Sequence, residues 1–480
     1  MEKCSLLTEY ISSACKTRKN NISLIRIKNE DYLIFSNGSN ITFASQNKLN
    51  FNLKICNFIC LSDDIYNFHI YNQNIYLSSI NKVSHFVVED DLKLVEKNLV
   101  TDPRIKNILD LKLIHYNEID YIILSSTTEL ITVNLSDKSV RVDKCNDEMY
   151  PALWSQTILN FPLLLLGANS GKIHVSSFSP SSITRLFSVS GHTDSITQLD
   201  GLRIDSSAFL LSSSSKDEFI RIWKFSITEA FEKADILDDS IYKKAAIRID
   251  EREKCLKCSL ESVLIGHDKW VNGCYFYKNN PNTTNDLKWP IHLASSSNDC
   301  NLILWEQTDE TQSWNISQRF GSTGQNSVIW LSCLISSEFD RIFALGLRGN
   351  ISIWKKEGQE NTWVSTAPLL GHFEEITSVK WSRDPKNLYL LSSGNDKIVR
   401  LHGPLTGETN ASSDNSSVQW FELGRPQVHG YEVNCLAPID EFSYASGGDE
   451  KILRILQVPN SQHAIQQDLG LSNLSTTKNE

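Results

Sequence analysis

The stretch GHTDSITQL at 191–199, which leads into LLSSSSKDEFIRIW at 210–223, decides the fold. It contains a Gly-His dyad, a strand pattern, a Ser-rich strand, a turn with Asp, and a strand that ends in Trp. The same order returns in GHDKWVNGCYFY at 266–277 with LASSSNDCNLILW at 293–305, and in GHFEEITSVKW at 371–381 with LLSSGNDKIVRLH at 390–402. Recurrence at this regularity predicts a repeat architecture built from short strands.

The repeated unit resembles the WD-repeat pattern, in which four short strands form one blade of a β-propeller. In that pattern the dyad His, a strand Ser, the turn Asp and the Trp indole form a hydrogen-bonded tetrad. Each of these groups is costly to bury alone, and each supplies a partner to another. Two sets are complete, and a third is partial because His402 replaces its Trp: His192, Ser213, Asp217 and Trp223; His267, Ser295, Asp299 and Trp305; and His372, Ser392 and Asp396.

The combination of His, Asp and Ser also occurs in hydrolytic triads. An active site needs one such set, whereas this chain repeats it at fixed offsets, and we therefore interpret the sets as structural. On this interpretation, Asp217→Ala should leave a buried His without a partner and cost roughly 1–3 kcal/mol.

Weaker copies bring the number of hairpins to nine, centred near 38, 80, 128, 170, 217, 299, 349, 396 and 449. The predicted fold class is all-β, a WD-repeat β-propeller. We predict one seven-bladed propeller over 20–360, two further blades of a second propeller over 361–458, and a disordered tail over 459–480. A charged insertion is predicted at 226–258, with a helical stretch around 227–238.

Composition excludes several classes of protein. Of 480 residues, 40% are hydrophobic, which suffices for a sizeable core, and 47 basic against 57 acidic residues give a net charge of −10. An acidic chain is a poor candidate for nucleic-acid binding by its whole surface. The first fifteen residues lack a signal-peptide pattern, no apolar run is long enough to span a membrane, and eleven scattered cysteines favour free thiols. These features predict an intracellular protein.

Two motifs that suggest chemistry are weak. GANSGKI at 167–173 approximates a phosphate loop, but it is one residue short and has Ile173 where Mg²⁺ needs a hydroxyl. Cys255 and Cys258 have the spacing of half a zinc site, without a second pair or a nearby His. We therefore expect no enzyme activity, catalytic residue, cofactor, metal or small-molecule substrate.

Several longer segments resemble one family, Elongator complex protein 2, in its N-terminal part. They occur in that family's order: EYISSACKTRKN at 9–20, LESVLIGHDKWVNG at 260–273, RPQVHGYEVNCLAP at 425–438, SGGDEKILRIL at 446–456 and LGLSN at 469–473. The family has two seven-bladed propellers, so nine hairpins imply an incomplete chain or a shortened protein.

The resemblance implies a non-catalytic scaffold subunit of Elongator, the complex that modifies wobble uridines of tRNA. Its protein partners would be the largest and the catalytic subunits, and it would meet tRNA only indirectly, through the complex. No membrane is implied; the cytoplasm is the implied location, with the nucleus as a second one. Two alternatives stay open: a WD-repeat adaptor of another complex, such as a ubiquitin-ligase substrate receptor or a coat component, and a propeller enzyme that uses the central channel.

Overall fold

The computed structural model describes most of the repeat region of the chain. The described residues are 22–27, 30–37, 40–46, 53–89, 91–145, 148–228, 242–249, 252–278, 290–309, 313–321, 328–357, 362–366, 371–372, 374, 376–383, 389–405, 419–426, 428–440 and 443–457. They form nine antiparallel sheets and contain no helix, so the predicted all-β WD-repeat propeller fold is confirmed. No helix that could span a membrane occurs among them.

The chain divides into two compact units, and the larger, Thr17–Pro368, contains seven sheets among its described residues. Sheet 1 comprises β1 (Ile22–Ile27), β2 (Glu30–Asn37), β3 (Asn40–Gln46) and β4 (Leu53–Cys60). Sheet 2 comprises β5 (Asn67–Tyr71), β6 (Asn74–Ser79), β7 (Lys82–Val88) and β8 (Leu94–Thr101). Sheet 3 comprises β9 (Asp110–Tyr116), β10 (Ile119–Ser125), β11 (Glu129–Asn134) and β12 (Val140–Lys144). Sheet 4 comprises β13 (Ala152–Ile158), β14 (Phe161–Gly167), β15 (Lys172–Phe178) and β16 (Ile183–Ser190).

The remaining sheets of this unit include one with five strands. Sheet 5 comprises β17 (Ile196–Arg203), β18 (Ala208–Ser215), β19 (Ile220–Thr228), β20 (Tyr242–Ile249) and β21 (Arg252–Leu264), and β21 lies between β19 and β20. Sheet 6 comprises β22 (Val271–Phe276), β23 (Ile291–Ser297), β24 (Asn301–Gln307) and β25 (Asn315–Gly321). Sheet 7 comprises β26 (Trp330–Ile335), β27 (Arg341–Gly346), β28 (Ile351–Glu357) and β29 (Thr362–Ser365).

The second unit contains two sheets within its described part. Sheet 8 comprises β30 (Ile376–Trp381), β31 (Leu390–Gly394), β32 (Val399–Leu405) and β33 (Gln419–Gly424). Sheet 9 comprises β34 (Val433–Pro438), β35 (Ser443–Gly448) and β36 (Leu453–Gln457). Each hairpin centre expected from the sequence lies at the turn between the second and third strand of one sheet.

The innermost strands of the larger unit form a closed circuit. The first strand of each sheet contacts the first strand of the next, and β26 of sheet 7 contacts β1 of sheet 1. At this seam Arg26 forms an ion pair with Glu338 at 3.3 Å, and the Ser337 hydroxyl donates a hydrogen bond to Asp31. The division into a seven-bladed propeller over 20–360 and two further blades over 361–458 remains a prediction.

The hydrophobic core lies between consecutive sheets. Middle strands are covered on both faces, and every residue of β18 and β23 is buried. Between sheets 4 and 5, the Trp154 ring lies 4.9 Å from that of Phe209, which stacks on Phe225 at 4.7 Å. Each sheet has apolar side chains on both faces, and adjacent sheets bury them. Stacking of successive repeats therefore stabilises the array.

Side chains at the start of several inner strands hydrogen-bond the backbone of the next sheet. Asn67 Nδ2 donates to the Ile108 carbonyl oxygen at 3.3 Å, and Asn272 Nδ2 donates to that of Trp330 at 2.7 Å. The Thr197 hydroxyl donates to the Val271 carbonyl oxygen at 2.5 Å. These bonds link each inner strand to the next sheet and give the three carbonyl groups a side-chain donor.

The structure corrects the extent of the insertion predicted at 226–258. β19 continues to Thr228, β21 is the fourth strand of sheet 5, and β20 adds a fifth. Charged residues alternate here with buried Ile247, Leu256 and Cys258, which is a strand pattern and not that of a loop. The helical stretch expected around 227–238 begins in β19 and otherwise lies outside the described residues, as does the tail over 459–480.

Candidate functional site

The first candidate set lies at one end of sheet 5. His192 Nδ1 lies 2.9 Å from Asp217 Oδ2, and His192 Nε2 lies 2.8 Å from Ser213 Oγ. The Trp223 indole N–H donates to the same Ser213 Oγ at 2.9 Å. The four side chains form one continuous chain of hydrogen bonds from the turn to the middle of the sheet.

The second set repeats this geometry in sheet 6. His267 Nδ1 lies 2.8 Å from Asp299 Oδ2, and His267 Nε2 lies 2.8 Å from Ser295 Oγ. The Trp305 indole donates to Ser295 Oγ at 2.9 Å. Two segments with the same spacing of Ser, Asp and Trp therefore build two sites with nearly identical distances, although His192 precedes Ser213 by 21 residues and His267 precedes Ser295 by 28.

The electrostatics of the first set indicate a neutral imidazole. Burial lowers the pKa of His192, and its hydrogen bond to Asp217 offsets this only in part. Burial opposes ionisation of Asp217, yet the bond from His192 and the backbone N–H groups of Thr193 and Phe219 lower the pKa of the carboxyl group to about 2. At neutral pH a neutral His192 thus donates from Nδ1 to a carboxylate and accepts the Ser213 hydroxyl proton at Nε2.

This arrangement cannot supply a nucleophile. Ser213 and Ser295 are each 0% exposed, so no substrate reaches the hydroxyl oxygen. That oxygen also accepts an indole hydrogen bond, which occupies one of its two lone pairs. A buried network in which every member has a partner stiffens the blade instead.

The partial set in sheet 8 uses a second histidine. His372 Nδ1 lies 2.9 Å from Asp396 Oδ2, and its Nε2 lies 2.8 Å from Ser392 Oγ. His402 Nε2 lies 2.8 Å from the same oxygen, in the place of the indole. Burial is the main reason that the pKa of His402 falls to about 3, so this imidazole is neutral as well.

A degenerate set in sheet 9 keeps part of the network. His429 Nε2 lies 2.7 Å from Ser446 Oγ, and Glu450 takes the place of the turn Asp. The longer Glu450 side chain lies 3.7 Å from His429 Nδ1 and accepts hydrogen bonds from the backbone N–H groups of Gly430 and Tyr431. The carboxylate therefore fixes the dyad loop mainly through its backbone.

Three of these sets include an arginine at an equivalent position that sequence reasoning missed. Arg221 Nη1 donates to Asp217 at 3.0 Å, and Arg454 Nη2 donates to Glu450 at 2.6 Å. Arg400, which is 1% exposed, lies 3.7 Å from Asp396. The signal was present, since each arginine follows its turn carboxylate by four residues, whereas sheet 6 has Ile303 at that position.

A fifth network, in sheet 4, has no dyad at all. His174 is 3% exposed; its Nδ1 lies 2.6 Å from Ser188 Oγ, and its Nε2 lies 2.7 Å from Glu148 Oε2. Ser170 in the turn donates to the same carboxylate at 2.5 Å. The network joins loop, turn and strands as a tetrad does, but no repeated spacing in the sequence indicated it.

The two weak motifs have structural explanations. Gly167 ends β14 and Lys172 begins β15, so GANSGKI is a hairpin turn, with Gly171 at a φ of 79° that favours glycine. Cys255 and Cys258 are buried in β21, and burial raises the pKa of both thiols. Within the described residues, no group of three or more His, Cys, Asp or Glu side chains is placed to hold a metal ion.

Comparison with known proteins agrees with the repeat. Residues 183–224, 258–306 and 363–402 match the family "WD domain, G-beta repeat". Elongator complex protein 2 of Homo sapiens is 32% identical over 309 residues, which cover 62% of this chain and 36% of the relative. The chain contains WD repeats and is similar to Elongator complex protein 2.

Other relatives extend this similarity. Elongator complex protein 2 of Drosophila melanogaster is 31% identical over 285 residues, covering 57% of this chain and 34% of the relative. That of Saccharomyces cerevisiae is 26% identical over 387 residues, covering 72% of this chain and 47% of the relative. The chain thus spans less than half the length of these relatives. The WD-repeat fold and the relatives fit a non-catalytic scaffold.

Proposed function

We propose that the chain is a non-catalytic scaffold subunit of an Elongator-type complex. The observation that carries the proposal is the similarity to Elongator complex protein 2 in animals and yeast. In this role it holds the largest and the catalytic subunits together while the catalytic subunit modifies wobble uridines of tRNA, in the cytoplasm and also in the nucleus. Small-molecule turnover by the chain itself forms no part of the proposal.

The geometry supports a binding role over catalysis. The only repeated His, Asp and Ser combinations in the described residues end at serine hydroxyls that are fully buried. Side chains that stiffen a blade hold the loops at its ends in fixed positions, and loops on a rigid scaffold are where partner contacts concentrate.

Affinity purification of the tagged chain from its own cells tests the proposal. We expect the largest and catalytic Elongator subunits to co-purify in amounts comparable to the tagged chain. A matched control is the same chain with Ser213→Ala and Ser295→Ala, which removes the two hydroxyls that a hydrolytic mechanism would require; once its circular dichroism spectrum shows that it is folded, it should retain these partners. Recovery of ubiquitin-ligase or coat subunits in their place would overturn the proposal.

A further inference from the structure

Consecutive sheets of the chain meet through two faces of different kinds. On the third strand of a sheet, the residues three and five positions after the turn carboxylate lie against the next sheet. In sheet 6 these residues are Leu302 and Leu304, which are 2% and 1% exposed. They pack with Trp330 and Cys333, the first and fourth residues of the inner strand of sheet 7. One sheet thus presents an aliphatic pair, and the next receives it on its inner strand.

The same contact recurs at two other junctions. In sheets 5 and 8 the corresponding pairs are buried against the first and fourth residues of the next inner strand: Ile220 and Ile222 against Val271 and Cys274, and Val399 and Leu401 against Val433 and Leu436. At all three junctions the second residue of one inner strand donates a hydrogen bond to the carbonyl oxygen of the first residue of the next: Thr197 to Val271, Asn272 to Trp330, and Thr377 to Val433.

Sheet 9 presents the same aliphatic pair to solvent. Leu453 and Ile455 lie three and five residues after Glu450, which takes the place of the turn Asp. Their side chains are 66% and 67% exposed, whereas the equivalent pair of sheet 6 is buried. An apolar pair that is built for a junction is therefore uncovered on this sheet.

The hydrogen-bond donor of a junction is also in place on sheet 9. Asn434, the second residue of β34, is exposed, and its Nδ2 donates to Asp449 Oδ1 at 2.6 Å. Asn272 Nδ2 donates in the same way to Asn298 Oδ1 at 2.7 Å, and it also donates to the Trp330 carbonyl oxygen at 2.7 Å. Because an amide nitrogen has two N–H groups, Asn434 is oriented to serve a carbonyl oxygen of a further inner strand. We name Asn434, Leu453 and Ile455 the open face of sheet 9.

Sheet 8 has the receiving face of a junction, also exposed. Ile376 and Val379 are the first and fourth residues of its inner strand, β30. Val379 is 39% exposed and Ile376 is partly exposed, whereas the equivalent Leu436 and Val433 of sheet 9 are 4% and 0% exposed. We name Ile376 and Val379 the open face of sheet 8.

We propose that the open face of sheet 9 binds the open face of sheet 8 of a second copy of this chain. The two faces are of the kinds that already meet between sheets 8 and 9, where Val399 and Leu401 pack on the next inner strand. In the contact between copies, Leu453 and Ile455 pack on Ile376 and Val379, and Asn434 Nδ2 donates to the Ile376 carbonyl oxygen. Contiguous exposed apolar residues mark such interaction sites. The scaffold role assigns no contact between copies, so this inference goes beyond it.

The number of copies follows from ring closure. A contact between two different faces continues from copy to copy until the rotation closes a ring. In the larger unit the innermost strands close their circuit after seven sheets. The second unit contributes two sheets per copy, so three or four copies come nearest to seven, with six or eight sheets. We therefore expect a ring of three or four copies.

Size-exclusion chromatography with light scattering measures the mass of the full chain as a function of concentration. We expect the mass to rise with concentration to about three or four times that of one chain. Ile455→Glu and Val379→Glu each place a carboxylate in the contact, where it has no partner, and each should leave the chain monomeric. Val364 is 42% exposed on β29 of sheet 7, and the control Val364→Glu should associate as the unchanged chain does. Circular dichroism shows whether each variant is folded.

A mixture of the two face variants tests whether the faces differ. Ile455→Glu keeps an intact open face of sheet 8, and Val379→Glu keeps an intact open face of sheet 9. One contact can therefore form between them, and the mixture should contain a one-to-one pair although each variant alone is monomeric. Asn434→Ala in Val379→Glu should raise the dissociation constant of this pair about threefold to tenfold, because one hydrogen bond is lost.

Four results would overturn the proposal. An unchanged chain that stays monomeric up to its solubility limit would show that a blade of a different polypeptide covers these faces. A mass that stops at two copies would contradict the ring. Association that survives either face variant, or a mixture of the variants that forms no pair, would place the contact elsewhere. Recovery of Elongator subunits with the folded variants is a separate readout, so failure here leaves the scaffold proposal standing.

Discussion

Removal of the Asp217 carboxylate should destabilise the protein by more than the roughly 1–3 kcal/mol expected from loss of the histidine's partner alone. The side chain is 2% exposed and accepts hydrogen bonds from His192, from the backbone N–H groups of Thr193 and Phe219, and from Arg221. Loss of neutral partners alone costs about 1–3 kcal/mol. Arg221 is only 13% exposed, and Asp217→Ala leaves its guanidinium near the buried site without this carboxylate. We therefore expect a loss of about 3–5 kcal/mol in the free energy of unfolding.

Sheet 6 provides a matched control for the arginine. Asp299 has the same dyad and backbone partners, accepting from His267, Asp268 N and Asn301 N, but Ile303 stands where sheet 5 has Arg221. Asp299→Ala should therefore cost only about 1–3 kcal/mol. The double variant Asp217→Ala/Arg221→Ile removes the charge together with its partner, and should be more stable than Asp217→Ala by about 1–2 kcal/mol.

Urea unfolding followed by circular dichroism measures these differences, with the midpoint compared at a constant slope. The unchanged chain should be the most stable and Asp217→Ala the least stable. Asp299→Ala and the double variant should lie between them, with similar midpoints. Equal losses for Asp217→Ala and Asp299→Ala, with no recovery in the double variant, would refute the assignment of the additional cost to Arg221.

Two further predictions concern other parts of the network and core. The pKa of His402 in the folded protein, about 3, lies below the ordinary value of 6.5 because the neutral imidazole is buried. The stability that depends on a neutral His402 is therefore fully present above pH 6.5 and is lost as the pH falls towards 3. His402→Gln should make unfolding free energy less dependent on pH in this window, and an unchanged pH profile would contradict this. A Cβ on Gly201 would lie 2.0 Å from Trp154 Cζ2, so Gly201→Ala should lower stability by about 1–3 kcal/mol in thermal unfolding. Gly430→Ala, whose nearest atom is 3.6 Å away, should change it by less than about 0.5 kcal/mol, and equal effects of both would contradict the packing argument.

The repeat was readable from the sequence because each complete set has fixed internal offsets. Asp217 precedes Trp223 by six residues, as Asp299 precedes Trp305, and in both sets the indole donates to the strand Ser. Hairpins without a dyad were readable from strand, turn and strand alternation alone. The Ser, Asp and Trp of each tetrad and the strands of each hairpin lie close together in the chain, and sequence patterns predict structure best over such short distances.

Other features depend on contacts that no short pattern contains. Glu148 lies 26 residues before its partner His174, and this network occurs once in the described part of the chain, so no repeated spacing indicates it. The sequence of β20 was interpreted as part of a charged insertion because its three basic residues outnumber the buried Ile247 and Ile249. Only pairing with β21 gives these two apolar residues a core to enter. Tertiary context thus decided the strand where local composition indicated a loop.

The central claim, that the chain assembles partners and performs no chemistry, is tested most directly by reconstitution. The largest and catalytic Elongator subunits are mixed with and without the chain, and complex formation and wobble-uridine modification are measured together. We predict that both require the chain, and that a folded Ser213→Ala/Ser295→Ala variant supports both at the unchanged rate. Normal assembly and modification without the chain would contradict the claim, as would a variant that assembles fully but no longer supports modification.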